Sequence, residues 1–67
     1  MIAVTVNGEP RQFPAPLSCQ QLIETLDLAG KRVALERNGQ IVPRSLFGDQ
    51  QLADGDRLEI VVAVGGG

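Results

Sequence analysis

The sequence predicts an α+β fold: one mixed sheet of four to five strands wrapped on a single helix, in two layers. Three observations predict it. Short alternating or β-branched apolar runs stand at the start, middle and end of the chain, two of them ending in Asn-Gly. One stretch, from Ser18 to Gly30, carries the helical period instead. With 67 residues there is room for one domain and no linker, so these elements must share one core.

Ile2-Ala3-Val4-Thr5-Val6 alternates large and small residues and reads as a strand with Ile2, Val4 and Val6 facing the core. Asn7-Gly8 is a strong hairpin signal. Arg11-Gln12-Phe13 returns as a second strand with Phe13 inward, and Pro10, Pro14 and Pro16 around it point to an edge position.

Ser18 is a good helix N-cap, with Gln21 three residues on in the capping-box pattern. Leu17 and Leu22 are placed to form a hydrophobic staple. Cys19, Leu22, Ile23 and Leu26 fall on one face, leaving Glu24 and Asp27 off it. Gly30 is the expected C-terminal cap, followed by Lys31 and Arg32 where positive charge favours the helix dipole.

Val33 to Arg37 reads as a third strand, turned by Asn38-Gly39 into a brief pairing of Ile41-Val42 that stops at Pro43. Ser45-Leu46-Phe47 reads as a short helical turn that puts Leu46 or Phe47 under the core, and Gly48 to Gln51 as a polar loop. Leu52 is expected to plug the core, and Asp54-Gly55-Asp56 to turn the chain into its last strand.

In that strand Leu58, Ile60, Val62 and Val64 share one face, and Arg57, Glu59, Val61 and Ala63 the other. The outward face thus becomes apolar toward the end. With Ala3 and Ala34 on neighbouring strands it reads as a docking patch. The order hairpin, helix, strand, helical turn, strand matches the β-grasp, or ubiquitin-like, fold. In that fold the first and last strands lie side by side and parallel at the sheet centre.

The domain is expected to span residues 1–64, with 65–67 a flexible glycine tail. Glycine has no Cβ and loses the most backbone freedom on ordering. Gly65-Gly66-Gly67 therefore offers a slender peptide ending in a carboxylate, reaching about 10 Å beyond the strand at ~3.3–3.6 Å per residue. The carboxylate of Gly67 is the candidate working group.

Composition excludes several other classes. There is no His, so the usual general base is missing, and a lone Cys19 forms neither a thiol–imidazole pair nor a zinc site. Cys19 reads as a small buried hydrophobe on the helix stripe rather than a reactive thiol. Asp54 and Asp56 read as turn residues, not as a catalytic pair. A net charge of −2 with scattered basic residues and two Phe argues against nucleic acid. A single cysteine, and no apolar run near the ~20 residues that span a bilayer, fit a soluble cytoplasmic chain that is monomeric when free.

Asn38-Gly39-Gln40-Ile41-Val42-Pro43-Arg44, then Asp54-Gly55-Asp56-Arg57-Leu58-Glu59-Ile60, then the terminal Gly66-Gly67, resemble the ThiS family of sulfur carriers in bacterial thiamine biosynthesis. The similarity covers the whole chain. The final Gly-Gly is shared with molybdopterin-synthase small subunits and with ubiquitin. The resemblance implies a protein co-substrate, not an enzyme, that binds no cofactor itself. A ThiF-like adenylyltransferase, using ATP and magnesium, would adenylate Gly67, with Gly66 beside the reacting atom. A cysteine-desulfurase persulfide would supply sulfur, and a ThiG-like thiazole synthase would take it from the thiocarboxylate. Gly65, Val64, Ala63, Val61 and Arg44 are the candidate partner contacts. Two departures stand out: Gly65 replaces the small side chain many relatives carry, and Arg37 replaces an apolar residue. The competing readings are a sulfur carrier for molybdopterin or another pathway, and a ubiquitin-like module that conjugates or binds.

Overall fold

The computed structural model describes residues 1–63. Five strands form one mixed sheet in the order β2-β1-β5-β3-β4. They are β1 (Ile2–Val6), β2 (Glu9–Phe13), β3 (Val33–Arg37), β4 (Gln40–Val42) and β5 (Arg57–Val62), with helix α1 (Cys19–Thr25) between β2 and β3. β5 lies at the centre, parallel to β1 and antiparallel to β3. This is the ubiquitin-like β-grasp arrangement, with the first and last strands adjacent as expected.

Alternation sets the core. Ile2, Val4 and Val6 from β1, Leu35 from β3, Val42 from β4 and Leu58 and Ile60 from β5 are buried on one sheet face. They pack with Cys19, Leu22 and Ile23 of α1 in a single cluster. Phe13, Leu17, Phe47 and Leu52 close its margins. Of the two candidates in the short helical turn, Phe47 is the one that enters the core, while Leu46 is 39% exposed. That turn is a 3-10 helix, Arg44–Leu46. β2 begins at Glu9, two residues earlier than the sequence reading, because its edge position tolerates Pro10 in register with Thr5.

Both Asn-Gly turns have positive φ at each residue, 52° and 83° at Asn7-Gly8 and 53° and 85° at Asn38-Gly39. That pattern is the primed turn whose twist suits a hairpin. Asparagine does a second job at both sites. The Asn7 amide donates to the Ile60 carbonyl at 3.1 Å and accepts from the Ile60 N–H at 2.7 Å. The Asn38 amide oxygen accepts from the Arg57 N–H at 2.9 Å. Each hairpin turn therefore also clamps the central strand, which needs a side chain that both donates and accepts.

The helix starts as expected. The Gln21 N–H donates to Ser18 Oγ at 3.1 Å, and the Ser18 N–H donates to Gln21 Oε1 at 2.9 Å. Its end differs. The last helical residue is Thr25, the C-cap is Leu26, and Asp27 takes the left-handed conformation at φ 61°. The Asp27 N–H donates to the Glu24 carbonyl and the Leu28 N–H to the Ile23 carbonyl, the two bonds of a Schellman motif. Leu28 packs against the core beside Ile23, which supplies the motif's apolar contact. Gly30, at φ 86°, belongs to the following turn and is not the cap. Lys31 and Arg32 accordingly lie beyond the helix, which has no basic residue in its last turn.

Candidate functional site

The central strand carries the chain toward the predicted site. β5 is hydrogen-bonded on both sides, by β1 and β3, and ends at Val62. The Ala63 N–H then donates to the Arg32 carbonyl at 2.9 Å, so the described chain leaves the sheet beside the start of β3. At this end β5 pairs with β3, Val62 opposite Val33, and that register holds the exit point in place, since a one-residue slip would turn the core face outward. The expectations for Val64, Gly65, Gly66 and Gly67, and for a domain boundary between residues 64 and 65, lie outside the described residues.

Among the other candidate contacts, Val61 is 64% exposed and stands opposite the exposed Ala34. Ala63 is also exposed, whereas Ala3, though exposed, lies at the other end of β5, where its carbonyl accepts from the Gly55 N–H, and so falls outside the expected patch. The structure thus brings Val61, Ala63 and Ala34 together on the outward face near the chain's exit. Arg44 is exposed and opens the 3-10 turn after β4. Because β4 and β5 both run antiparallel to β3, Arg44 follows its strand toward the same end of the sheet as Ala63. Two strand spacings, about 10 Å, separate the two strands.

The opposite end of β5 is held by a polar network that the sequence reading took for turn chemistry alone. Asp56 is 7% exposed. Its carboxylate accepts from the Arg37 Nε–H at 2.8 Å, the Asn38 amide at 3.1 Å and the Ala53 N–H at 2.8 Å. Arg37 Nη1 also donates to Gln50 Oε1 at 3.1 Å. Burial pushes the Asp56 carboxyl up. The Ala53 and Asn38 donors and the Arg37 guanidinium outweigh it and hold the group below its ordinary value. Arg37, the departure at the end of β3, is thereby explained as the partner of Asp56. Sequence spacing carried no signal for this, since the partners lie 18 and 19 residues from Asp56.

Cys19 is 0% exposed. Burial is the main influence on its thiol and raises its pKa, which keeps it protonated and packed as a core residue. An open cleft of about 360 Å³ beside β4, with Ile41, Pro43 and Leu46 at its wall, touches none of the residues around the chain's exit. Among the described residues, no group of three His, Cys, Asp or Glu is arranged to hold a metal ion. No helix there is long and apolar enough to cross a membrane.

Comparison with known proteins adds an independent line. The ThiS family model matches residues 4–67. The sulfur carrier protein ThiS of Escherichia coli is 31% identical over 64 residues, covering 96% of this chain and 97% of that one. A thiazole synthase of Paramagnetospirillum magneticum is 42% identical over 64 residues, and there the chain spans only 20% of the longer protein. Among solved structures, the crystal structure of thiamine biosynthesis protein ThiS from Geobacter metallireducens superposes with a TM-score of 0.82. It is 32% identical and covers 98% of this chain and 100% of that one.

Proposed function

This chain belongs to the ThiS family, and we propose that it serves as a sulfur carrier in thiamine biosynthesis, with the carboxylate of Gly67 as the group that bears the sulfur. The observation that carries the proposal is the family match to residues 4–67, which runs through the terminal glycines. The rest of the chain acts as a handle. The clamped central strand sets where residues 64–67 begin, and the apolar face around Val61 and Ala63 meets the partners.

The chemistry follows from the carboxylate. Its delocalised charge makes it a poor electrophile. A ThiF-like adenylyltransferase joins it to AMP from ATP and magnesium, releasing pyrophosphate and installing a good leaving group. One difficult substitution becomes two easier ones. The terminal sulfur of a cysteine-desulfurase persulfide then attacks the acyl carbon and expels AMP. A thiol cleaves the resulting acyl disulfide and leaves the thiocarboxylate. No side chain at Gly66 or Gly67 widens the peptide where an enzyme must close around it. Ordering each tail residue costs about 1–2 kcal/mol of backbone entropy, and docking of the folded body offsets this by raising the local concentration of the tail.

A ThiG-like thiazole synthase is the acceptor. Support comes from the P. magneticum thiazole synthase, in which a region similar to this chain is part of the same polypeptide. A carrier and an acceptor that work together gain effective concentration when linked. We place the carrier in the cytoplasm with these enzymes.

Intact mass spectrometry tests the proposal. After incubation with ATP, the adenylyltransferase, the desulfurase and a reductant, the chain is expected to gain the mass of one oxygen exchanged for sulfur. The same chain lacking Gly67 is expected to stay unmodified and to support no thiazole formation. An unchanged mass in the full chain, or an adduct to a lysine amine, counts against the carrier reading.

A further inference from the structure

Both hairpin turns pair an asparagine with a following glycine, Asn7-Gly8 and Asn38-Gly39. Such a pair can modify itself. The glycine nitrogen attacks the asparagine side-chain carbon, a five-membered succinimide closes and ammonia leaves. Water then opens the ring to aspartate or to isoaspartate. One amide becomes one carboxylate, water is consumed, and neither an enzyme nor an oxidant is needed. Glycine favours the attack because no Cβ crowds its nitrogen.

Ring closure requires the side-chain amide to swing onto the next backbone nitrogen. In the fold both polar atoms of each amide are held elsewhere. Asn7 exchanges two hydrogen bonds with the backbone of Ile60. Asn38 donates to the Asp56 carboxylate at 3.1 Å and accepts from the Arg57 N–H at 2.9 Å. Each turn must therefore open before it reacts. Both hairpins end in an edge strand, so their length decides how easily they open. Asn7 turns into β2, which pairs with β1 along five residues, whereas Asn38 turns into β4, which has only three. The shorter pairing opens at lower free energy.

The products differ as well. At Asn38 the new carboxylate replaces an NH2 that lies 3.1 Å from an oxygen of Asp56. Two like charges then face each other in the network completed by Arg37 and Ala53, where Asp56 is largely buried. At Asn7 the new carboxylate faces only the neutral Ile60 carbonyl.

We propose that Asn38 is a self-modification site: the Asn38-Gly39 turn deamidates ahead of Asn7-Gly8, and the carboxylate it sets against Asp56 breaks the network that anchors the start of β5. An aged chain is thereby marked for unfolding, whatever its terminal carboxylate carries.

Peptide mapping of the full chain, held at mildly alkaline pH in oxygen-labelled water, follows the reaction. Rates are taken relative to those in the urea-unfolded chain, which removes intrinsic differences between the two pairs. Both asparagines are expected to be protected by folding, with Asn38 protected several-fold less than Asn7. The product at residue 38 should carry the label and include isoaspartate, the sign of a succinimide. The modified chain, separated by its added negative charge, should melt at least about 4 °C below the parent, the scale for one lost hydrogen bond to a charged group at this chain length. Asn38→Asp is expected to melt lower than Asn7→Asp. Adding Asp56→Asn to Asn38→Asp sets a donor against an acceptor again and should recover part of the loss. Greater protection of Asn38 than of Asn7 overturns the proposal, as does a modified chain that melts with the parent. A double variant no more stable than Asn38→Asp alone overturns it too, because Asp56 is then not the cause. If Asn38→Asp fails to fold, the protection of the parent chain and the melting of its modified form still decide.

Discussion

Asp56 carries an acid-sensitive share of the stability. Its carboxylate gathers three donors from three segments: Arg37 at the end of β3, Asn38 in the turn and Ala53 in the loop before β5. Its folded pKa lies below the ordinary value, so in acid the unfolded chain binds the proton first. The stabilisation is complete above about pH 4, near the unfolded pKa. It drains away as pH falls through the lower folded pKa. Arg37 and Ala53 donate to one carboxylate oxygen and Asn38 to the other, so Asp56→Asn can keep the first two bonds only without the charge that strengthens them, and it sets its own amide NH2 against the Asn38 donor. It is expected to cost about 1.5–3 kcal/mol near neutral pH, the usual scale for hydrogen bonds to a charged group. Arg37 is partly exposed, which holds the loss toward the lower figure. Urea titrations at several pH values check this: the variant should show a flatter decline of stability below about pH 4 than the parent. An equally steep decline in both would locate the acid sensitivity elsewhere.

At the scale of elements, the helix shows what local sequence reveals and what it conceals. Its start was legible because a capping box is a fixed spacing of two side chains, Ser18 and Gln21. Its end was not, because the sequence offers two residues able to adopt positive φ. Gly30 is the better intrinsic choice. Asp27 takes the left-handed position because stopping there lets Leu28 pack, partly buried, against the core beside Ile23, and that burial outweighs intrinsic preference. The left-handed conformation costs roughly 1–2 kcal/mol for an ordinary side chain, and Asp tolerates it better than most. Asp27→Val is therefore expected to lower stability by about 1 kcal/mol or more, while Asp27→Gly lowers it little or raises it. Chemical denaturation of the pair decides between this cap and one at Gly30, which predicts that both changes are nearly silent.

At the scale of the whole molecule, the sheet was legible because two kinds of signal agreed. Period-two burial placed Ile2, Val4, Val6, Leu58 and Ile60 on one face, and the Asn-Gly pairs fixed where two strands turn. What local patterns could not carry was anything set by register between distant strands. The Arg37–Asp56 pair and the Glu36–Glu59 opposition both depend on which residue of β3 meets which residue near β5. The same separation of scales yields a final prediction. The buried apolar cluster of the described residues runs from Ile2 to Ile60 and is closed by α1 and the loop at Leu52. The clamps from Asn7 and Asn38 act on Arg57 and Ile60, also upstream of the glycines. The proposed carrier role puts the chemistry at the end, and the expectation that goes with it is that the body holds the stability. Removing residues 65–67 should leave both the urea midpoint and its slope unchanged, since the slope tracks surface exposed on unfolding. Sulfur loading should vanish in the same protein. A lower midpoint with a smaller slope would mean that the glycines contribute buried surface, and the division of labour between a stable body and a reactive end would have to be abandoned.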